Sequence, residues 1–260
     1  MESAQDFWTA KATLDWQIEM GVDEAIGDTP VDRYALEDKK PAPKAAAAAP
    51  STAPAPVREV EVDAVAVAKA AAIAAQNLNE LHASMAAFEH CALKAAARNL
   101  VFCDGVAGAN VMIITDAPDR DEDRAGAMFS GRAGVLLDKM LAAVDLGRAG
   151  ENPVYAAPIL PWNPPQNREP NASECAMMLP FLLRHIELAA PKVLILMGNG
   201  PCQMLLKKTG MTRLRGAWAE AANLPALPMF APSYLLNNTA AKRDAWTDLL
   251  ALKARLKDLS

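Results

Sequence analysis

Between positions 111 and 231 short apolar runs alternate with segments of helical period, and that alternation restricts the chain to an α/β fold. The runs are 111–115 (VMIIT), 154–160 (VYAAPIL), 193–197 (VLILM) and 227–231 (LPMFA). Between them, 134–144 and 174–188 repeat their apolar residues with helical spacing. Strands that are apolar at nearly every position need cover on both faces. The pattern therefore predicts a three-layer αβα domain around a central parallel sheet of about four strands. Ligands of such sheets bind beyond the carboxyl ends of the strands, so the loops after Thr115, Leu160, Met197 and Ala231 are expected to line any site.

The preceding part of the chain has a different character. Residues 3–20 place Trp8, Ala12, Trp16 and Met20 four apart, beside Leu14 and Ile18, which predicts an amphipathic helix within a helical extension over 1–37. That helix either docks on the main domain or binds a protein partner. Residues 38–57 contain PAPKAAAAAPSTAPAP, the composition of an extended, disordered linker. From 58 the chain enters the domain that runs to 260. Its Ala-rich start, 60–86, predicts one leading helix continuing into FEHCALKAAARNLVF.

No basic segment followed by an apolar run opens the sequence, and no apolar stretch reaches the ~20 residues that span a bilayer. The expectation is a cytoplasmic protein without membrane contact. Cys91, Cys103, Cys175 and Cys202 form no C-x-x-C pair, which argues against a disulfide framework and leaves buried thiols as the plain reading. Positions 1–90 carry 7 Lys+Arg against 15 Asp+Glu, while the other 19 basic and 16 acidic residues lie beyond 90. The net charge of −5 thus hides a mildly basic C-terminal part, which is compatible with phosphate contacts.

Three ordered motifs carry a resemblance. The first, TDAPDRDEDRAGAMFSGRAGVLLDKML, holds Ala117, Pro118, Glu122, Asp123, Gly126, Phe129, Gly131 and Gly134. The second, PILPWNPPQNREP, holds Pro161, Trp162, Pro164, Pro165, Asn167, Arg168 and Pro170. The third joins RLRGAW to APSYLLNN, with Arg215, Gly216, Pro232 and Ser233. Over roughly two thirds of the chain, from Phe88 to Leu256, these segments resemble the family 4 uracil-DNA glycosylases. The resemblance implies an αβα domain of base-excision DNA repair that extrudes a uracil and hydrolyses its N-glycosidic bond. Such chemistry needs an aromatic face to stack the base, an amide to read it and a donor for the leaving anion.

Carried onto this sequence, the resemblance makes Asp116 the water-orienting carboxylate and Phe129 the stacking ring, with Ala117, Pro118 and Asp119 beside the substrate. Several positions depart from the pattern. Asp119 stands where the family has a glycine, and its charge is expected to repel phosphate. Pro158 stands at the position of the base-reading Asn and has no side-chain hydrogen-bonding group. Ala231 replaces the His that would donate to the uracil anion, a loss of about 3–4 kcal/mol in comparable sites. The family's 4Fe–4S cluster has one matching ligand, Cys91, whereas Phe88, Trp162 and Met178 occupy the other three positions. No cluster or other metal is therefore expected, since one thiolate does not hold four irons.

Asn167, Arg168, Arg215, Pro232 and Ser233 match the DNA-contacting segments, and Lys207, Lys208, Arg213, Lys242 and Arg243 supply further positive charge nearby. All of these charges are equally explained as solvated surface. Two functions follow. One is a glycosylase with weak activity; the other, favoured by the loss of the Asn and the His, is an inactive protein that binds DNA weakly and recruits a partner through residues 3–20. An unrelated nucleotide-binding role in the same cleft is a third.

Overall fold

The computed structural model describes residues 63–258, with Thr9, residues 11–14, Trp16 and Met20. Contacts divide the chain into two units, 1–58 and 59–260. In the first, Thr9, residues 11–14 and Trp16 are helical, within the stretch where the apolar spacing predicts a helix. The Ala/Pro-rich segment 38–57 lies outside the described residues.

In the second unit the four apolar runs become the middle of a six-stranded sheet. The strands are β1 (Asp104–Gly105), β2 (Val111–Thr115), β3 (Val154–Pro158), β4 (Val193–Met197), β5 (Ala219–Ala221) and β6 (Leu224–Met229), in the order β1-β3-β2-β4-β6-β5. The central four are parallel, and β1 and β5 pair antiparallel on the two edges. These edge strands are too short to leave a periodic signal. The hairpin joining β5 to β6 also lacks the glycine that marks such turns, because Ala222 and Asn223 themselves adopt φ of 49° and 61°.

Strand alternation splits the core in two. Met112 and Ile114 face a layer built from α1 (Ala64–Ala74), α2 (Leu78–Ala87) and α6 (Ala172–Ala189). Val111 and Ile113 face Leu137 and Leu141 of α5 (Arg132–Ala142) and Leu249 and Leu252 of α8 (Lys242–Asp258). Shorter helices α3 (Leu93–Ala96), α4 (Arg120–Ala125) and α7 (Pro232–Asn237) punctuate the loops. The three αβα layers expected from the sequence are thus present.

The leading helix departs from expectation by dividing into α1, α2 and the single-turn α3, with Phe88 extended after α2 (φ −70°, ψ 119°). Ala75 is extended (φ −70°, ψ 123°), and Asn77 caps α2 by accepting the Glu80 N–H at 2.9 Å. Arg184 of α6 holds the break open, donating to the Ala75 carbonyl from Nε and Nη2 at 3.0 and 2.7 Å. Alanine content hides this break, because the signal for it is one asparagine.

Within the first core half His185 is buried, its ring stacked on Phe102 at 4.4 Å. Its Nε2 lies 2.7 Å from the Tyr155 hydroxyl. Burial pushes its pKa down to about 3 from an ordinary 6.5. The unfolded chain therefore binds a proton there that the folded chain refuses, and stability falls as pH drops through the ordinary value towards about 3. In chemical denaturation between pH 7 and 4, His185→Phe is expected to flatten that decline relative to wild type; parallel curves would contradict it.

Candidate functional site

The parallel register brings the strand ends together. Thr115 pairs with Met197 and with Pro158, so Asp116 leaves β2 beside the turn Gly198–Gly200. All four predicted strand-end loops contribute to one cleft of about 930 Å³. Asp116 sits in its wall. Its Oδ1 accepts the Gly200 N–H at 2.9 Å, and among the described residues Oδ2 accepts no hydrogen bond. A Cβ at Gly198 or at Gly200 would collide with this carboxylate, and Gly198 also has φ +111°. The two glycines of MGNGP thus make the room in which Asp116 stands. Burial pushes its pKa up to about 6, the Gly200 N–H opposes that rise, and the charge of Glu169 adds to it.

Asp119, expected to repel phosphate, has its carboxylate committed to a helix end. It is the N-cap of α4, and its Oδ1 accepts the N–H groups of Asp121 and Glu122, both at 2.9 Å. Glu122 returns the contact through Oε2 to the Asp119 N–H, completing a capping box, while its Oε1 accepts the Phe129 N–H at 2.5 Å. The Asp119 carboxylate is therefore turned onto a helix end, although Asp119 still borders the cleft.

Ala117, Pro118, Asn167, Arg168, Ala231 and Ser233 also line the cleft. Phe129 and Pro158 do not. Phe129, at φ 55° and 7% exposed, packs with Met128 and Ala231 in the second core half, and Pro158 is buried at the end of β3. The exposed aromatic face in the cleft is Tyr234 (43%), stacked on Phe230 at 4.8 Å. Tyr234 was legible within APSYLL but carried no role there.

Two arginines expected at DNA are engaged elsewhere. Arg168 is bidentate to Glu174, with Nη1 to Oε2 at 2.9 Å and Nη2 to Oε1 at 2.6 Å. That pairing holds the Glu174 carboxyl below its ordinary pKa. Arg215 is likewise bidentate to Asp248 of α8, whose side chain is 1% exposed, and also donates to the Asp244 carbonyl at 2.7 Å. The RLRGAW turn is thus clamped to the last helix. Pro232 is buried in the first turn of α7. Asn167 and Ser233 are exposed, as are Lys207, Lys208, Arg213, Lys242 and Arg243.

Residues 102–250 match the family model described as the Uracil DNA glycosylase superfamily, more than half of the chain. The chain belongs to the uracil DNA glycosylase superfamily. The Type-4 uracil-DNA glycosylase of Thermotoga maritima is 32% identical over 153 residues, which cover 57% of this chain and 77% of that protein. The corresponding protein of Archaeoglobus fulgidus is 31% identical over 146 residues, covering 54% and 72%. A DNA polymerase of Bacillus phage SP01 is 30% identical over 151 residues, 58% of this chain and 15% of the polymerase. Among the described residues no helix is long and apolar enough to cross a membrane.

Removing Arg215 leaves Asp248 charged and unpaired in the core, which costs about 3–5 kcal/mol. Arg215→Ala is expected to lose that much in urea denaturation. Unchanged stability with weakened DNA binding would instead make Arg215 a phosphate contact.

Proposed function

We propose that this superfamily member binds DNA and slowly hydrolyses the N-glycosidic bond of an extruded base, uracil first among them. Asp116 carries the reading. A carboxylate kept in a cleft wall at an energetic cost, with one oxygen held by Gly200 and the other without a hydrogen bond among the described residues, suits the orientation of an attacking water. Tyr234 offers the face on which the extruded base stacks. The rate is low because Ala231 supplies no donor to the leaving anion and Pro158 reads no base edge, the first alone a factor of about 10²–10³.

A second reading, a DNA-binding protein without excision, draws its support from the same two positions. Ala231 lies in an apolar cluster and Pro158 is buried, so neither is a substitute of equal chemistry. In this reading residues 3–20 recruit a partner.

Excision from uracil-containing oligonucleotides separates the two. Wild type is expected to show slow release that rises with pH through about 6, as Asp116 ionises, and Asp116→Asn is expected to abolish it. Asp116→Asn should also be more stable than wild type at neutral pH, by ~1–3 kcal/mol, because the folded state no longer holds a desolvated charge. Binding without release by either protein would favour the second reading.

The residues at the cluster positions do not fit an iron–sulfur group. Phe88, Cys91, Trp162 and Met178 are all buried in one apolar cluster, Phe88 edge-on to Phe181 at 5.5 Å, and burial pushes the Cys91 thiol up rather than towards thiolate. We propose that packing replaces the cluster. Protein purified without oxygen should lack a visible charge-transfer band, and a band with stoichiometric iron would overturn this.

A further inference from the structure

Beside the cleft lies a second cavity of about 350 Å³, and three arginines line it. Arg120 and Arg124 project from one face of α4, four residues apart, while Arg98 comes from the segment after α3. Asn163, Gln166 and Asn167 of the proline-rich loop line the same cavity. Among the described residues, Arg98, Arg120 and Arg124 make no ion pair, in contrast to Arg148, Arg168, Arg184 and Arg215. The one acid in the lining, Asp123, gives its Oδ1 to the N–H groups of Arg98 and Asn99 at 2.9 and 3.1 Å. Three cations thus face one carboxylate that is already in use. Like charges held together without a counter-ion repel, and a polyanion relieves that repulsion.

The loop wall adds a second observation. Gln166 and Asn167 adopt φ of 60° and 53° in succession, a backbone that side chains rarely take. Held there, Asn167 borders both the arginine cavity and the cleft. Asn163 Nδ2 donates to Asn167 Oδ1 at 3.1 Å, which fixes the amide between the two spaces.

We infer that the Arg98–Arg120–Arg124 cavity binds a backbone phosphodiester of the DNA strand whose neighbouring nucleotide enters the cleft. The inference rests on the DNA-binding reading above and gives it a direction, with the strand crossing the proline-rich loop at Asn167. The guanidinium forks supply phosphate contacts, and the amides of Asn163 and Gln166 supply donors to the same oxygens. The cavity, at about 350 Å³, lies at the low end of the roughly 300–1,000 Å³ range of small-molecule pockets and so has room for a phosphodiester.

The test is the salt dependence of binding to a fluorescein-labelled, uracil-containing single-stranded oligonucleotide, read by anisotropy. Arg98→Ala, Arg120→Ala and Arg124→Ala are combined in one protein. A control removes the same charge elsewhere through Lys69→Ala, Arg132→Ala and Lys139→Ala. Each lost phosphate contact lowers the slope of log K against log salt by about 0.7 for a single strand. The cavity variant is expected to lose one to two such steps and about tenfold or more in affinity, the control far less, and a triple Lys replacement at the three arginines should retain most of the slope. Equal slopes in wild type and cavity variant would overturn the assignment while leaving DNA binding intact. Calorimetric binding of inorganic phosphate that depends on the three arginines, with the DNA slope unchanged, would make the cavity a free-anion site and likewise overturn it. A wild type that binds no DNA at low salt removes the DNA reading and this assignment together.

Discussion

The parallel pairing of β2 with β4 is the constraint on which the site depends. Because Val111 is opposite Val193 and Thr115 opposite Met197, both strands end at one level, and the next residue of each meets the other. On one strand that residue is Asp116; on the other it is Gly198, with Gly200 two further on. A slip of one residue would exchange the two faces of β2, sending Met112 and Ile114 to the wrong core half and Asp116 away from the Gly200 N–H. The apolar identity of the sheet and the position of the half-buried Asp116 at the end of β2 are therefore set by the same register.

Much of this was legible because it depends on period and residue type. The four apolar runs became the four parallel strands, and the loops beyond them line the cleft. Elements fixed by single residues were less legible. The split of the leading helix turns on Asn77 and the distant Arg184, and the β5–β6 hairpin turns on a left-handed Ala222 that no composition announces. At the site, residue type did not reveal orientation. Asp119 reads as a charge obstructing phosphate, yet the N-terminal amides of α4 capture its carboxylate. Phe129 reads as a stacking ring, yet it is packed inside, and the exposed ring is Tyr234. Gly198 and Gly200 were visible as letters, but their purpose, space for a carboxylate from another strand, appears only when the strands are paired.

The arginines show why a charge count is a poor guide to a polyanion site. Arg168 and Arg215 belong to motifs of the DNA-contacting type, yet each is spent on a buried carboxylate, Glu174 or Asp248. Their partners are almost without solvent, so an approaching phosphate would have to compete with a pair whose disruption leaves a buried anion. Arg98, Arg120 and Arg124 belong to none of the matched motif positions and have no such partner. Their long side chains can reorganise around an incoming oxygen at little cost, since no ion pair among the described residues is broken. Availability, rather than membership of a motif, is what makes a guanidinium useful to a phosphate.

The same reasoning applies to Asp116. An acid whose pKa is raised to about 6 by burial destabilises the fold whenever it is ionised, and a neutral residue in its place would remove that penalty. Two glycines that forfeit chain entropy and any side-chain packing are arranged around it. A purely structural position would relax towards an apolar residue and a filled turn, of the kind seen where Phe88, Trp162 and Met178 pack in the first core half. The cleft is instead left open with its carboxylate in the wall. Packing fills one part of this domain, while another keeps an acid at an energetic cost, and the proposed chemistry on a DNA base uses that second part.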